Sequence, residues 1–187
     1  MRQGWTYETI VSTFSHEVPH AAPIGVWTEQ FNELHMEIYD SSHTLRNILD
    51  TGHFVANFPP DVALIHAALF HSAQLTFEPA HEIASPLLCG SSAAVELVLR
   101  QASPLPGRTR ITGMAVHVHT REDIRLLNRA EGLLLESLII TTRLPHLDNT
   151  AARGTLAENY RVIRKVAPRS HYEEAMADVL RNVDVPS

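Results

Sequence analysis

The chain has a single cysteine, Cys89, in 187 residues. An intramolecular disulfide is therefore impossible, and a reducing compartment is expected. Glycine is also sparse. The eight glycines form neither a GxGxxG nor a GxxxxGK pattern, which disfavours a Rossmann or P-loop phosphate site. There is no Lys/Arg run, and the formal net charge is −6. Nucleic acid and anionic membrane are thus poor candidates for the main partner, although a local basic pocket stays open. No apolar run approaches the roughly 20 residues of a membrane helix. Met1-Arg2-Gln3-Gly4-Trp5 carries no apolar signal segment. A soluble, cytoplasmic protein is the expectation. Charged residues make up only 19%, which suggests that a partner subunit covers part of the surface.

What is present is a core. Hydrophobic residues are 44% of the chain, too many for disorder. The length suits one large domain or one domain with a small appendix. Residues 6–15 are rich in β-branched side chains (Thr6, Thr9, Ile10, Val11, Thr13) and predict a strand. Pro19-His20 suits a turn, and residues 21–28 read as the returning strand. Pro23 and Gly25 inside it weaken ladder pairing, so an edge, a bulge or a ligand-approached backbone is expected there. Residues 34–39 alternate as a third strand. Ser41 or Ser42 can N-cap a helix that ends at Gly52, a residue suited to the left-handed C′ position. His53 to Phe58 reads as a strand, and Asp61 can cap a short helix through Phe70.

The region 71–92 has no clear period. Ala94 to Ala102 and Arg110 to His119 predict two strands joined by a loop over residues 103–107. Beyond about residue 120 the pattern turns helical. Asn128 suits an N-cap with Glu131 three residues on. Leu127, Ala130, Leu133, Leu134, Ser137, Leu138 and Thr141 recur at helical spacing, as a packing or dimer helix would. Helices over 155–167 and 170–182 follow, separated by Pro168. The expected class is α+β, mainly β, with a β-rich domain over 1–120 and a helical subdomain over 121–187.

Chemistry concentrates between Glu8 and Asn57. Ser41, Ser42, Thr44 and Asn47 surround one helix start, where free backbone N–H groups and the helix dipole favour an anion. Arg46 can add a charge-assisted bond. Pro23-Ile24-Gly25-Val26 offers the close backbone approach that a flat ring needs. The simpler reading of the same residues is a capped helix and a bulged strand.

The order of these pieces resembles the flavin reductase-like FMN-binding split β-barrel. More closely, it is similar to an uncharacterised archaeal and bacterial flavoprotein family, domain of unknown function 447. The shared pieces are Ile10 to Thr13, Ala21 to Val26, Ser42 to Asn47 and Val55 to Asn57, followed by Asn128-Arg129-Ala130, Glu136 and Thr142-Arg143-Leu144. The resemblance implies FMN as cofactor and a homodimer with flavin near the subunit interface. In it, Ser42, Thr44 and Asn47 hold phosphate. Ser12, Thr13 and the backbone of Pro23, Ile24, Gly25 and Val26 line the ring. Asn57 lies near the ribityl or phosphate end, and Arg129 contributes near the flavin, from the second subunit. It departs at His43, where related sequences often carry a basic residue, and at Asp40, a nearby negative charge. Both weaken the expected affinity.

Other constellations compete. His117-Val118-His119 puts two imidazoles on one strand face, and paired His can bind zinc. A third ligand cannot be chosen by sequence among His16, His20, His81, Glu96 and Asp123. The simpler reading is a polar face with Val116 and Val118 turned inward, so no metal is assigned. Cys89 has no locatable base and reads as a small buried residue. Ser12 to His16 lacks the GxSxG elbow of a hydrolase. The expected function is an FMN-dependent oxidoreductase acting on a small-molecule redox substrate. A non-catalytic flavin carrier or sensor is the alternative, and a His-based metal hydrolase is a weaker one.

Overall fold

The computed structural model describes residues 1–120, 124–144 and 149–183, with the backbone only at Asn149. Asp123, one of the weighed metal ligands, lies outside the described residues. The chain forms two compact units. One comprises Met1–Gln3 with Tyr7–Leu127, the other Gly4–Thr6 with Asn128–Ser187.

The first unit is a closed antiparallel barrel of six strands: β1 (Tyr7–Ser15), β2 (Val18–Trp27), β3 (Glu33–Tyr39), β4 (His53–Phe58), β7 (Ala93–Leu105) and β8 (Arg108–Thr120). Around the barrel the order is β1-β2-β3-β8-β7-β4. Helix α1 (His43–Thr51) enters β4 directly, and α2 (Val62–Phe70) precedes a small hairpin of β5 (Phe77–Pro79) and β6 (Pro86–Leu88). Helix α1 has the ends expected of it. Ser42 Oγ accepts the N–H of Thr44, and Gly52 adopts φ 75° at the C-terminus. Asp61 likewise accepts the N–H groups of Ala63 and Leu64.

The strand connections differ from the expectation. The first turn is His16-Glu17, not Pro19-His20: both residues have positive φ, and Ser15 pairs Val18. A two-residue turn of this hand matches the twist of the flanking strands, so Pro19 and His20 are drawn into β2. The β7–β8 connection is also shorter than residues 103–107. Leu105 pairs Arg108, leaving Pro106 and Gly107, with Gly107 at φ 72°. Finally, β7–β8 is irregular. Glu96 pairs His117 but Leu97 pairs Ala115, so Val116 is an extra residue of a bulge.

Inside the barrel, Phe54 and Leu97 close over Gly113. A Cβ at Gly113 would lie 2.6 Å from Phe54 Cζ and 3.0 Å from Leu97 Cδ2. The excursion between β4 and β7 covers the outer face. Ala68 and Leu88 pack on Ile10, while Leu87 packs with Val55 and Ala94.

The second unit is helical, with α3 (Arg129–Arg143), α4 (Asn149–Val166) and α5 (His171–Val183). Asn128 caps α3 by accepting the Ala130 N–H. Helix α4 begins six residues before the expected 155 and carries Gly154 inside it, in open space. Ala130 and Ser137 are buried as the stripe predicts, but Leu138 is exposed. Ser137 Oγ accepts from buried Asn159 Nδ2 at 3.0 Å, joining α3 to α4. Leu156, Ile163 and Met176 are fully buried in this unit.

Candidate functional site

The ladder between β1 and β2 determines what the barrel offers a ligand. A hairpin with a two-residue turn bonds its closing pair, here Ser15 and Val18. Alternation then turns residues 18, 20, 22, 24 and 26 toward β1, and residues 19, 21, 23 and 25 away from it. Pro19 and Pro23 occupy the outward phase, where no N–H is spent on β1. On that side β2 pairs β3 only through Val26 and Trp27. Among the described residues, no strand pairs with residues 18–25 there. Ala21 and Gly25 thus turn N–H and C=O groups, and Pro23 a carbonyl, to an open edge. Ile24 O is taken by Thr9 Oγ1 at 2.7 Å. Val26 is fully buried and belongs to the core, so the open stretch ends at Gly25.

Beside this strand stands the start of α1. Asn47 Nδ2 donates to Thr13 Oγ1 at 2.9 Å. His20 Nε2 and Thr44 Oγ1 lie 3.1 Å apart, and the His20 and His43 rings are 6.2 Å apart. Thr13, His20, Ser42, His43, Thr44 and Asn47 therefore form one cluster. The Thr44 N–H is used by the Ser42 cap; the N–H groups of His43 and Leu45, in the first turn, have no acceptor within the helix. His20 is held below the ordinary imidazole pKa, first by burial and then by the charge of His43. His20 was weighed by sequence only as a metal ligand. Its place here depends on where β2 begins, and the shorter hairpin turn is the signal that would have found it. Arg46 is exposed on α1. Asp40 accepts a hydrogen bond from Thr109 Oγ1 at 2.9 Å.

Ser12 and Asn57 are brought together, but their side chains are spent on the protein. Asn57 Nδ2 donates to Ile10 O at 2.9 Å and Ser12 Oγ at 2.8 Å, while its Oδ1 accepts the Leu88 N–H at 3.0 Å. Ser12 Oγ donates to Pro86 O. Both residues are fully buried. They tie the β5–β6 segment to the barrel wall. Arg129 opens α3 in the second unit.

The expected inward turn of Val116 and Val118 is overturned: they are 41% and 54% exposed. The bulge at Val116 sets His117 and His119 against Glu96 instead.

Residues 7–122 match the family described as protein of unknown function (DUF447), N-terminal domain. The uncharacterized protein MJ1453 of Methanocaldococcus jannaschii is 24% identical over 194 residues, covering 95% of this chain and 98% of that protein. The FMN-bound protein MM1853 of Methanosarcina mazei, of the same family, superposes with a TM-score of 0.57 at 20% identity, covering 97% of this chain and 96% of the other. An FMN-binding protein from Thermus thermophilus with bound 1-cyclohex-2-enone gives 0.55 at 20% identity, covering 63% and 71%. At these identities the structural likenesses establish the fold, the split barrel of flavin reductase-like proteins. Matched over more than half its length, this chain belongs to the DUF447 family.

Proposed function

We propose that this protein binds FMN between the start of α1 and the open edge of β2, and acts as an oxidoreductase of the flavin reductase-like class. The observation that carries the reading is the juxtaposition of two unlike donor sets. One is a hydroxyl- and amide-lined helix start with two N–H groups that have no acceptor within the helix, suited to a phosphate. The other is a strand edge whose Ala21, Pro23 and Gly25 backbone groups have no strand partner among the described residues, suited to the polar edge of a flat ring.

The residues present fit the group. Ser42, Thr44 and Asn47, with His20 and His43, would hold the phosphate. Thr13, which already orients Asn47, and the backbone of Pro23 to Gly25 would face the ring and ribityl chain. Ser12 and Asn57 would act indirectly, by holding the β5–β6 segment in place. Arg129 would contribute near the flavin from a second subunit. When bound, FMN supplies the hydride- or electron-transfer chemistry, and the chain supplies orientation and tuning of potential.

A homodimer is part of the proposal. Phe31 is 99% exposed, and Met114, Val116 and Val118 of the same unit are also exposed. Apolar surface of this kind is commonly covered by a partner.

The test is a flavin titration. A perturbed flavin absorption band or quenched fluorescence is expected on adding FMN, followed by bleaching with NAD(P)H under anaerobic conditions. Binding without reduction by any nicotinamide or small-molecule donor would favour the carrier or sensor role. No spectral change at millimolar FMN would overturn the flavin reading itself.

A further inference from the structure

Among the described residues, a group of metal-ligating side chains sits where β7 and β8 meet the turn at residues 81–83. Glu96 is 0% exposed. Its Oε1 accepts the His81 N–H at 2.6 Å and lies 2.6 Å from His119 Nε2. Its Oε2 accepts the N–H groups of Glu82 at 2.7 Å and Ile83 at 3.2 Å. Three backbone N–H groups thus converge on the Glu96 carboxylate and fix it beside the imidazole cluster. The His81 and His117 rings stack at 4.8 Å, and the His117 and His119 rings meet edge-on at 4.5 Å. His81 Nδ1 is in turn 2.9 Å from Glu82 Oε1.

Two overlapping sets have ligand atoms within 4.8 Å of one another: Glu96, His117 and His119, and His81, Glu82 and His117. His117 belongs to both. We propose that His81, His117 and His119, oriented by the carboxylates of Glu82 and Glu96, bind a divalent transition-metal ion of the zinc type.

The chemistry favours this ligand class. Imidazole suits Zn, Cu, Fe and Ni, whereas Mg and Ca take oxygen donors. A carboxylate on the second nitrogen of a ligating His is the usual orienting arrangement, and here it occurs at both His119 and His81. Ligands at about 2.0–2.1 Å from a tetrahedral ion lie about 3.4 Å apart; the 4.8 Å span holds within each set, and neither set contains all three imidazoles, so the His81 side chain must swing in toward His119 to complete the site. His81, at 67% side-chain exposure, is free to do that. Three protein ligands leave a fourth position for water or a substrate atom, as in open zinc sites. The bulge at Val116 is what sets His117 opposite Glu96, and bulges that re-aim side chains are frequent beside functional sites. The sequence supplied the His117–His119 pair but not its partners, because Glu96 meets it through the register of β7 on β8 and His81 through the folded turn.

The experiment uses full-length protein without a histidine tag, stripped with chelator and titrated with Co²⁺ and then Zn²⁺. One equivalent of Co²⁺ should bind with ligand-field absorption in the visible range, and Zn²⁺ should displace it. His117→Ala should abolish that equivalent. Glu96→Gln should weaken it by about 10- to 100-fold. His66→Ala, outside the cluster, should leave it unchanged. FMN titration of the same His117→Ala protein separates this site from the flavin site and should be unaffected. Absence of stoichiometric binding by the unaltered protein, or one equivalent held with equal affinity by His117→Ala, would overturn the proposal. Should His117→Ala fail to fold by circular dichroism, His81→Ala on the exposed turn decides in its place, with loss of the equivalent supporting the site and full retention sinking it.

Discussion

Asn57 accepts the backbone N–H of Leu88 at 3.0 Å across 31 residues of chain. It is the fastener between the barrel wall and the segment that covers it. The same amide donates to Ile10 O and Ser12 Oγ, so no part of it is idle. Truncation to alanine leaves buried donors and acceptors unpaired, each a loss of about 1–3 kcal/mol. Asn57→Ala is expected to lower the denaturant midpoint with little change in slope. An unchanged midpoint would mean that the fastener is unimportant.

Gly113 is required by packing rather than by backbone conformation. A methyl group there meets Phe54 at 2.6 Å and Leu97 at 3.0 Å, and both are fully buried. Overpacking of this kind costs about 1–3 kcal/mol. Gly113→Ala should reduce thermal stability, whereas Gly132→Ala, in open space, should hold or raise it. Equal behaviour of the two variants would contradict the packing account.

The phosphate assignment predicts a loss on removing two hydroxyls. In the double variant Ser42→Ala with Thr44→Ala, FMN affinity should fall by about 1–3 kcal/mol, the cost of leaving a charged acceptor short of donors. Fluorescence titration measures it. Unaltered affinity would place the phosphate elsewhere.

His20 makes that site pH-sensitive. Its folded pKa is depressed, so the unfolded chain binds the proton more readily. Stability from this group is present above the ordinary His value of about 6.5 and falls as pH drops through the folded pKa. A phosphate beside His20 reverses the preference, because it favours the protonated ring. FMN affinity should therefore rise between about pH 8 and about pH 6 more steeply in the native protein than in His20→Gln. Protonation of the phosphate itself near pH 6 is common to both proteins and cancels in the comparison. Parallel pH profiles would remove His20 from the site.

The dimer proposal is tested by charge. Val118→Glu, on the exposed face of β8, should convert a dimer into a monomer in sedimentation equilibrium while leaving the circular dichroism spectrum intact. A monomeric unaltered protein would defeat the proposal at the start.

Much of the fold was readable where local physics decides it. The Ser42 and Asp61 caps, the left-handed Gly52 and the strand over residues 53–58 all stand where hydrogen-bonding chemistry and alternation put them. The misplaced first turn had a specific cause. Pro19 reads as a turn former in isolation, and only its outward phase on an edge strand makes it acceptable within β2. Val116 and Val118 were misassigned because a bulge changes the phase of a strand, and no residue type announces one.

The sequence alone determined the class, the caps of α1, α2 and α3 and the hydroxyl-rich start of α1, since caps, propensity and periodicity act over a few residues. Its family resemblance supplied the expectation of FMN. Only the tertiary structure decided that His20 meets Thr44 across 24 residues, that β2 keeps an open edge, and that Asn57 and Ser12 are spent on the wall. It alone set Glu96 beneath His81 and His119. Those relationships depend on pairing register and on the closure of long loops, which no short window of sequence contains.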